Sequence, residues 1–336
     1  MTRNHPEYIS ISTSTILKVV LIALSLFFAY IIRDIIIMVF VAVVVAAAVG
    51  GPVNWLKKRK VPRILGVAFI YLIILLLFSL VISLIIPPLT EQIRSLASYF
   101  PALMEKVGLS VQQWWGKYNI GTSLQSLLSQ ASSKLGQATS NIFTTIFDLF
   151  GGVFSAVVVV VISFYLSVQE KGVKEFILSL TPDGHKPYIS SLIERIQIKI
   201  GGWLRGQLIL MLIIGTLTYI GLSILGIKYA LLLSLIAGFL EIIPYLGPIV
   251  STIPAVILTF AQSPFLAFIV LMLYIVIQQL ENYVIVPQVM KRTVGLNPVT
   301  IIIVMLIGMK LAGILGIILS VPLAAVVNEL SNDFKK

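Results

Sequence analysis

The chain has 336 residues, 58% of them hydrophobic and only 11% charged, with a mean hydropathy of +1.05. A water-soluble domain carries about a quarter of its residues as charges, so this composition excludes an ordinary soluble fold. The absence of cysteine excludes disulfides, thiol catalysis and Cys-based zinc sites, and two histidines, His5 and His185, are too few for a His-rich metal centre.

A membrane-crossing helix needs about 20 apolar residues. Ile16–Ile32 is a short first span, retained because Arg33-Asp34 follows at once with no small-residue cleavage site. Ile35–Val53 returns across the bilayer and is expected to end at Gly50-Gly51-Pro52. Five cations and no acid then fall between Lys57 and Arg63. Flanked by apolar spans, this run is a cytoplasmic anchor rather than a nucleic-acid motif, and it puts the N-terminus inside too. Ile64–Ile86 runs outward and is expected to stop at Pro87-Pro88. Residues 1–86 thus form an N-terminal group of spans.

Residues 87–145 are rich in Ser and Gln, with apolar residues at helical spacing (Ile93, Leu96, Ala97, Phe100; Leu124, Leu127, Leu128). They read as an extracytoplasmic amphipathic helical insert. Trp114, Trp115 and Tyr118 suit either a headgroup belt or packing between helices. The next span, 146–168, returns inward. Residues 169–206 are a cytoplasmic helical segment turned at Thr181-Pro182-Asp183-Gly184 and closed by Gly201-Gly202-Trp203-Leu204-Arg205-Gly206. Residues 207–336 form a C-terminal transport region with broken helices. It opens with the span Gln207–Leu225.

Two long apolar runs remain, Tyr229–Phe260 and Pro298–Asn328, separated by Phe265–Val286 and a loop bearing Lys291 and Arg292. As single spans they would leave that loop outside, against the positive-inside rule. As hairpins they put it inside, each arm being ~21 Å of helix. Pro244, Gly247, Pro248 and Pro254 break the first run, and Gly313, Gly316 and Pro322 interrupt the second. Opposed hairpins of this kind build many secondary-transporter sites. The competing arrangement is eight plain spans with kinks. Either way the fold class is all-α, with about eight hydrophobic segments.

Charged groups at membrane depth face protein or a water-filled cavity far more often than lipid. Glu241, beside Pro244, is the first such candidate. It could bind a cation, take a proton, hydrogen-bond a polar solute, or simply pair with Lys310. Gln278, Glu281 and Asn282 share one helical face ahead of Pro287 and suit either a pathway lining or a solvated helix end. Lys310 could counter-charge Glu241 or Glu281, attract an anion, or snorkel. Asn297-Pro298 reads as a helix start, and Arg205 and Gln207 as anchors at a cytoplasmic mouth. No Walker A sequence, no G-x-G-x-x-G and no Ser/His pair in a plausible site occurs, so neither ATP hydrolysis nor another catalytic function is expected. No cofactor and no metal site is expected.

Three elements in order then resemble the autoinducer-2 exporter family of bacterial permeases. They are Glu241-Ile-Ile-Pro-Tyr-Leu-Gly-Pro-Ile-Val with Ile253-Pro254, then Gln279-Leu-Glu281-Asn282 through Pro287 to Val294-Gly295-Leu296-Asn297-Pro298, and last Ala312-Gly-Ile-Leu-Gly316 through Pro322. The layout matches along essentially the whole chain. Asn297 stands where the family's late element usually has His, so a proton role there does not carry over. The resemblance implies a multi-pass permease of the bacterial inner membrane with both termini cytoplasmic. Its partners would be the lipid bilayer and a small polar solute such as autoinducer-2, or sodium and protons in exchange. Glu241 and Glu281 carry over as the acidic positions. A non-transporting scaffold is the third reading. No nucleic acid is expected, and a homo-oligomer is compatible with the sequence.

Overall fold

In hydrocarbon every backbone polar group must be satisfied within the protein, which leaves helices as the economical solution for this composition. The computed structural model describes residues 13–115, 152–169, 172–260, 262–290 and 297–333. Its helices are α1 (Thr13–Ile31), α2 (Arg33–Lys58), α3 (Arg63–Trp115), α4 (Gly152–Val168), α5 (Gly172–Ser179), α6 (Lys186–Ile224), α7 (Ala230–Leu240), α8 (Leu246–Phe260), α9 (Pro264–Leu280), the short α10 (Val286–Val289) and α11 (Pro298–Asp333). Among the described residues, six helices are long and apolar enough to cross a membrane, or up to seven if the bent α4–α5 pair is one span. Large apolar side chains such as Phe27, Phe28, Leu76 and Leu212 stand exposed along them, as a lipid-facing surface requires.

Two expected helix ends are absent. α2 passes through Gly50-Gly51-Pro52 and stops only at Lys58. The glycine there serves packing: a Cβ on Gly51 would overlap the Arg205 guanidinium, which donates to the Ala48 carbonyl at 3.0 Å. α3 likewise continues past Pro87-Pro88 for 53 residues in all. Pro87 and Pro88 leave the Ser83 and Leu84 carbonyls without their ladder donors, a loss that membrane helices tolerate. The described part of the amphipathic insert, up to Trp115, is therefore a direct extension of the third span. Leu124, Leu127, Leu128 and Tyr118 lie outside the described residues.

α6 is also continuous, running through Gly201 and Gly206 into the membrane. Both glycines mark close crossings. A Cβ on Gly201 would strike the Ala47 carbonyl of α2, and one on Gly206 would lie 2.8 Å from Met290 Sδ. α6 thereby becomes the central mast, packed by α2, α7, α9 and α11.

Both long apolar runs fold back on themselves. In the first, α7 and α8 flank a turn at 241–245 and share a core cluster through Leu233, Ala237, Ala255 and Leu258. Their 11 and 15 residues give ~16 and ~22 Å of helix. Each is shorter than the ~30 Å hydrocarbon core. In the second, α11 breaks at Ala312 and Gly313, the latter at φ 60°, ψ −138°. By length alone 299–331 would count as one crossing. However, a Cβ on Gly316 would overlap the Gly308 carbonyl, and one on Gly308 would lie 3.3 Å from Ser320 Cβ. Residues eight apart in a straight helix are ~12 Å apart, so the chain reverses at Gly313. Pro254 and Pro322 lie inside the arms, not at the breaks.

The second hairpin is tied to α6 at its open end. Glu329 accepts from Arg195 Nε at 2.7 Å and from Lys199 Nζ, while Arg195 also pairs with Asp333. Further along, Ile301, Met305, Ile317 and Val321 pack with Ile200 and Trp203 of α6. Ile243, from the turn of the first hairpin, lies against the same cluster.

Candidate functional site

The site is built where the first hairpin turns. α7 tightens at its end, with Ile242 N–H and Ile243 N–H donating to carbonyls three residues back. Pro244 supplies no donor, and Tyr245 sits in the left-handed region at φ 64°, a conformation uncommon for a residue with a Cβ. α8 then starts so close that a Cβ on Gly247 would overlap the Leu240 carbonyl. Glycine is thus the residue that lets the second arm leave. One carbonyl freed by the turn, that of Glu241, is taken by Gln207 Nε2 from α6. Gln207 is 2% exposed, so it holds the turn from inside rather than anchoring the span at a surface.

Glu281 comes from the opposite direction. On α9 the buried residues Val270, Tyr274 and Ile277 form one stripe, and Glu281 continues it at the helix end. A π-turn over Glu281–Ile285 follows, in which the Val286 N–H donates to the Glu281 carbonyl. Pro287 accounts for it, since it cannot donate to Tyr283 and its ring crowds that carbonyl. Such single π-turns collect at functional sites.

The two carboxyls meet. Glu241 and Glu281 are 2% and 5% exposed and within hydrogen-bonding reach of each other. Apart from the partner carboxyl, no described donor reaches Oε2 of either. Two carboxylates this close stay together only if they share a proton or a cation. Lys310 does not supply that charge. It is exposed near the tip of the second hairpin and belongs to none of the ion pairs of the described residues. The pairing of Glu241 with Lys310, one reading of the sequence, is replaced by pairing with Glu281.

The remaining candidates lie around this pair. Gln278 is half-buried and lines a cavity of about 470 Å³ between α8 and α9, together with Pro248, Thr252 and Tyr274. Asn282 is exposed: the buried stripe runs through 274, 277 and 281, and a step of ~100° carries Asn282 off its edge. Asn297 caps α11, its Oδ1 accepting from the Val299 N–H at 3.0 Å. The described residues hold no group of three or more metal-ligating side chains.

The site's height along α6 follows from four contacts. Gln207 bonds Glu241, Gly215 lies against Gly238, Gly206 against Met290, and Gly221 against Leu273. α7 and α9 thus both run antiparallel to α6, and the carboxyl pair sits between the levels of Gln207 and Ile214.

Apolar helices of spanning length, two helical hairpins and buried acids where helices break define a polytopic membrane protein with the architecture of a transporter. A family model described as AI-2E family transporter matches residues 19–336. The chain belongs to that family. Similar proteins include YueF of Bacillus subtilis (strain 168), named as a candidate transport protein and 28% identical over 82% of this chain and 78% of its own. YrrI of the same organism, named likewise, is 24% identical over 91% and 88%. TqsA of Escherichia coli (strain K12), named an AI-2 transport protein, is 25% identical over 90% and 85%.

Proposed function

We propose that this family member is a secondary transporter that moves a small polar solute outward across the bacterial cytoplasmic membrane, and that Glu241 and Glu281 together form its binding site. The observation that carries this reading is the meeting of two buried carboxyls from separate elements at a broken helix. A lone carboxylate at that depth would be expensive, whereas a pair can hold one proton between them and exchange it for the hydroxyls of a solute. The name of TqsA makes autoinducer-2 the first solute to test. The break supplies backbone groups that an α-helix would have used internally, and Gln278 lies one turn from Glu281.

The membrane placement belongs to the same proposal. The first hairpin enters from the extracytoplasmic side, where Gln92 Oε1 of α3 accepts from the Leu232 N–H at 2.9 Å. The second enters from the cytoplasmic side, its open end held by Arg195 and Lys199. Both termini then lie inside.

The test is uptake of radiolabelled autoinducer-2 into inverted proteoliposomes carrying wild type, Glu241→Gln or Glu281→Gln. Loss of flux in both variants, with the protein still folded, is the expected result. Full flux in either removes the site. Sodium-driven proton flux, lost in Glu241→Gln and independent of autoinducer-2, would assign the pair to cation/proton exchange instead.

A further inference from the structure

Two buried hydroxyls are unlike the rest. Among the described residues, Thr218 Oγ1 and Tyr274 Oη join the two carboxyls as the buried side-chain polar atoms without a hydrogen-bond partner. Their residues are 1% and 7% exposed. Other buried hydroxyls are satisfied: Ser234, Ser251 and Thr259 donate to carbonyls of their own helices, and Tyr71 donates to Ser163. Thr218 could take the same local bond and does not. A buried hydroxyl with no protein partner is costly unless something outside the protein pairs with it, so each asks for a partner such as water or a solute.

Their placement supplies one. Gly221 packs on Leu273 and Gly206 on Met290, so α6 and α9 run antiparallel in a known register. Glu281 then falls level with Ile214, residue 277 level with Thr218, and Tyr274 level with Gly221. From Gln207 the order along α6 is Glu241, Glu281, Thr218, Tyr274, spread over about 20 Å. The residues of all four atoms in question thus fall between the levels of Gln207 and Gly221, a stretch that leads from the hairpin turn toward the Gly226 end of α6.

We infer that Thr218 and Tyr274 extend the carboxyl site into a single polar file, shut in this structure, along which a hydroxyl- or carbonyl-bearing solute passes with its hydrogen bonds handed from one side chain to the next. This rests on the carboxyl pair being the transport site. In the shut state these hydroxyls have no protein partner. When it opens, solute or water fills the positions they lack.

The experiment separates this role from plain packing. Tyr274→Phe and Thr218→Val remove the hydroxyls and keep the shapes. Because those hydroxyls make no bond to the protein in the shut state, thermal stability stays level or rises, while autoinducer-2 flux in proteoliposomes falls about tenfold, the scale of one lost hydrogen bond. The chain has no cysteine, so Thr218→Cys can be probed with a charged, water-soluble methanethiosulfonate. It reacts, and excess autoinducer-2 slows the reaction. Full flux in both hydroxyl-free variants, or an unreactive Thr218→Cys, overturns the file. An unreactive Thr218→Cys with flux lost in Glu241→Gln removes the file and keeps the carboxyl site. A reactive Thr218→Cys with full flux in Glu241→Gln does the reverse. If wild type moves no autoinducer-2, the labelling arm decides alone.

Discussion

Replacing Glu329 by Gln tests how the second hairpin is held. Glu329 accepts from Arg195 and Lys199 at once, and its side chain is 11% exposed, against 39% and 29% for the two cations. A charge-assisted bond contributes ~1.5–3 kcal/mol when buried. With donors this hydrated, solvent lowers each to ~1 kcal/mol. Glu329→Gln keeps the shape, loses the charge and should therefore destabilise the seated arm by ~2 kcal/mol, about thirtyfold in its equilibrium. The cleanest assay is a double-mutant cycle of Arg195→Gln and Glu329→Gln, read from unfolding of the purified protein in detergent. A coupling of ~1 kcal/mol that shrinks in ~1 M salt is expected. A coupling below ~0.3 kcal/mol, the scatter of independent sites, would refute the claim that these charges hold the hairpin.

Three further outcomes follow from named contacts. Gly316→Val should separate the arms of α11, because even a Cβ overlaps the Gly308 carbonyl; a loss of ~1–3 kcal/mol in unfolding free energy is expected, and unchanged stability would contradict the reversal at Gly313. Gln207→Leu leaves the Glu241 carbonyl without its donor and should cost ~1–3 kcal/mol along with most of the flux; full flux would show that the turn needs no such support. In intact cells, a cysteine placed at position 291 or 292 should be protected from impermeant reagents, and efficient labelling from outside would reject the proposed hairpin topology.

Much of the scaffold was legible because its signals are local. Apolar run lengths gave the spans, and Pro244, Gly247 and Gly313 marked where two runs break, since each removes a donor or frees the backbone. Glu241 and Glu281 were legible as expensive charges in apolar surroundings. What was not legible is non-local. Nothing near Glu241 in sequence says that its neighbour is Glu281 and not Lys310, because that depends on how α9 lies along α6. Pro87-Pro88 and Gly50-Gly51-Pro52 looked like helix ends, yet both helices continue, and at Pro52 the Arg205 guanidinium takes the Ala48 carbonyl that the proline leaves without its donor. Asn282 shared a face with Glu281 on paper, but the buried stripe is narrower than that face. Thr218 and Tyr274 carried no signal at all: single hydroxyls among apolar residues are ordinary, and only their missing partners set them apart.

The central claim is that Glu241 and Glu281 act as one site. It is tested most directly by autoinducer-2 flux in proteoliposomes carrying Glu241→Gln, Glu281→Gln and the double variant. Groups that work as a unit are non-additive, so each single variant should lose nearly as much flux as the double. Wild-type flux in either single variant, or losses that simply multiply, would contradict it.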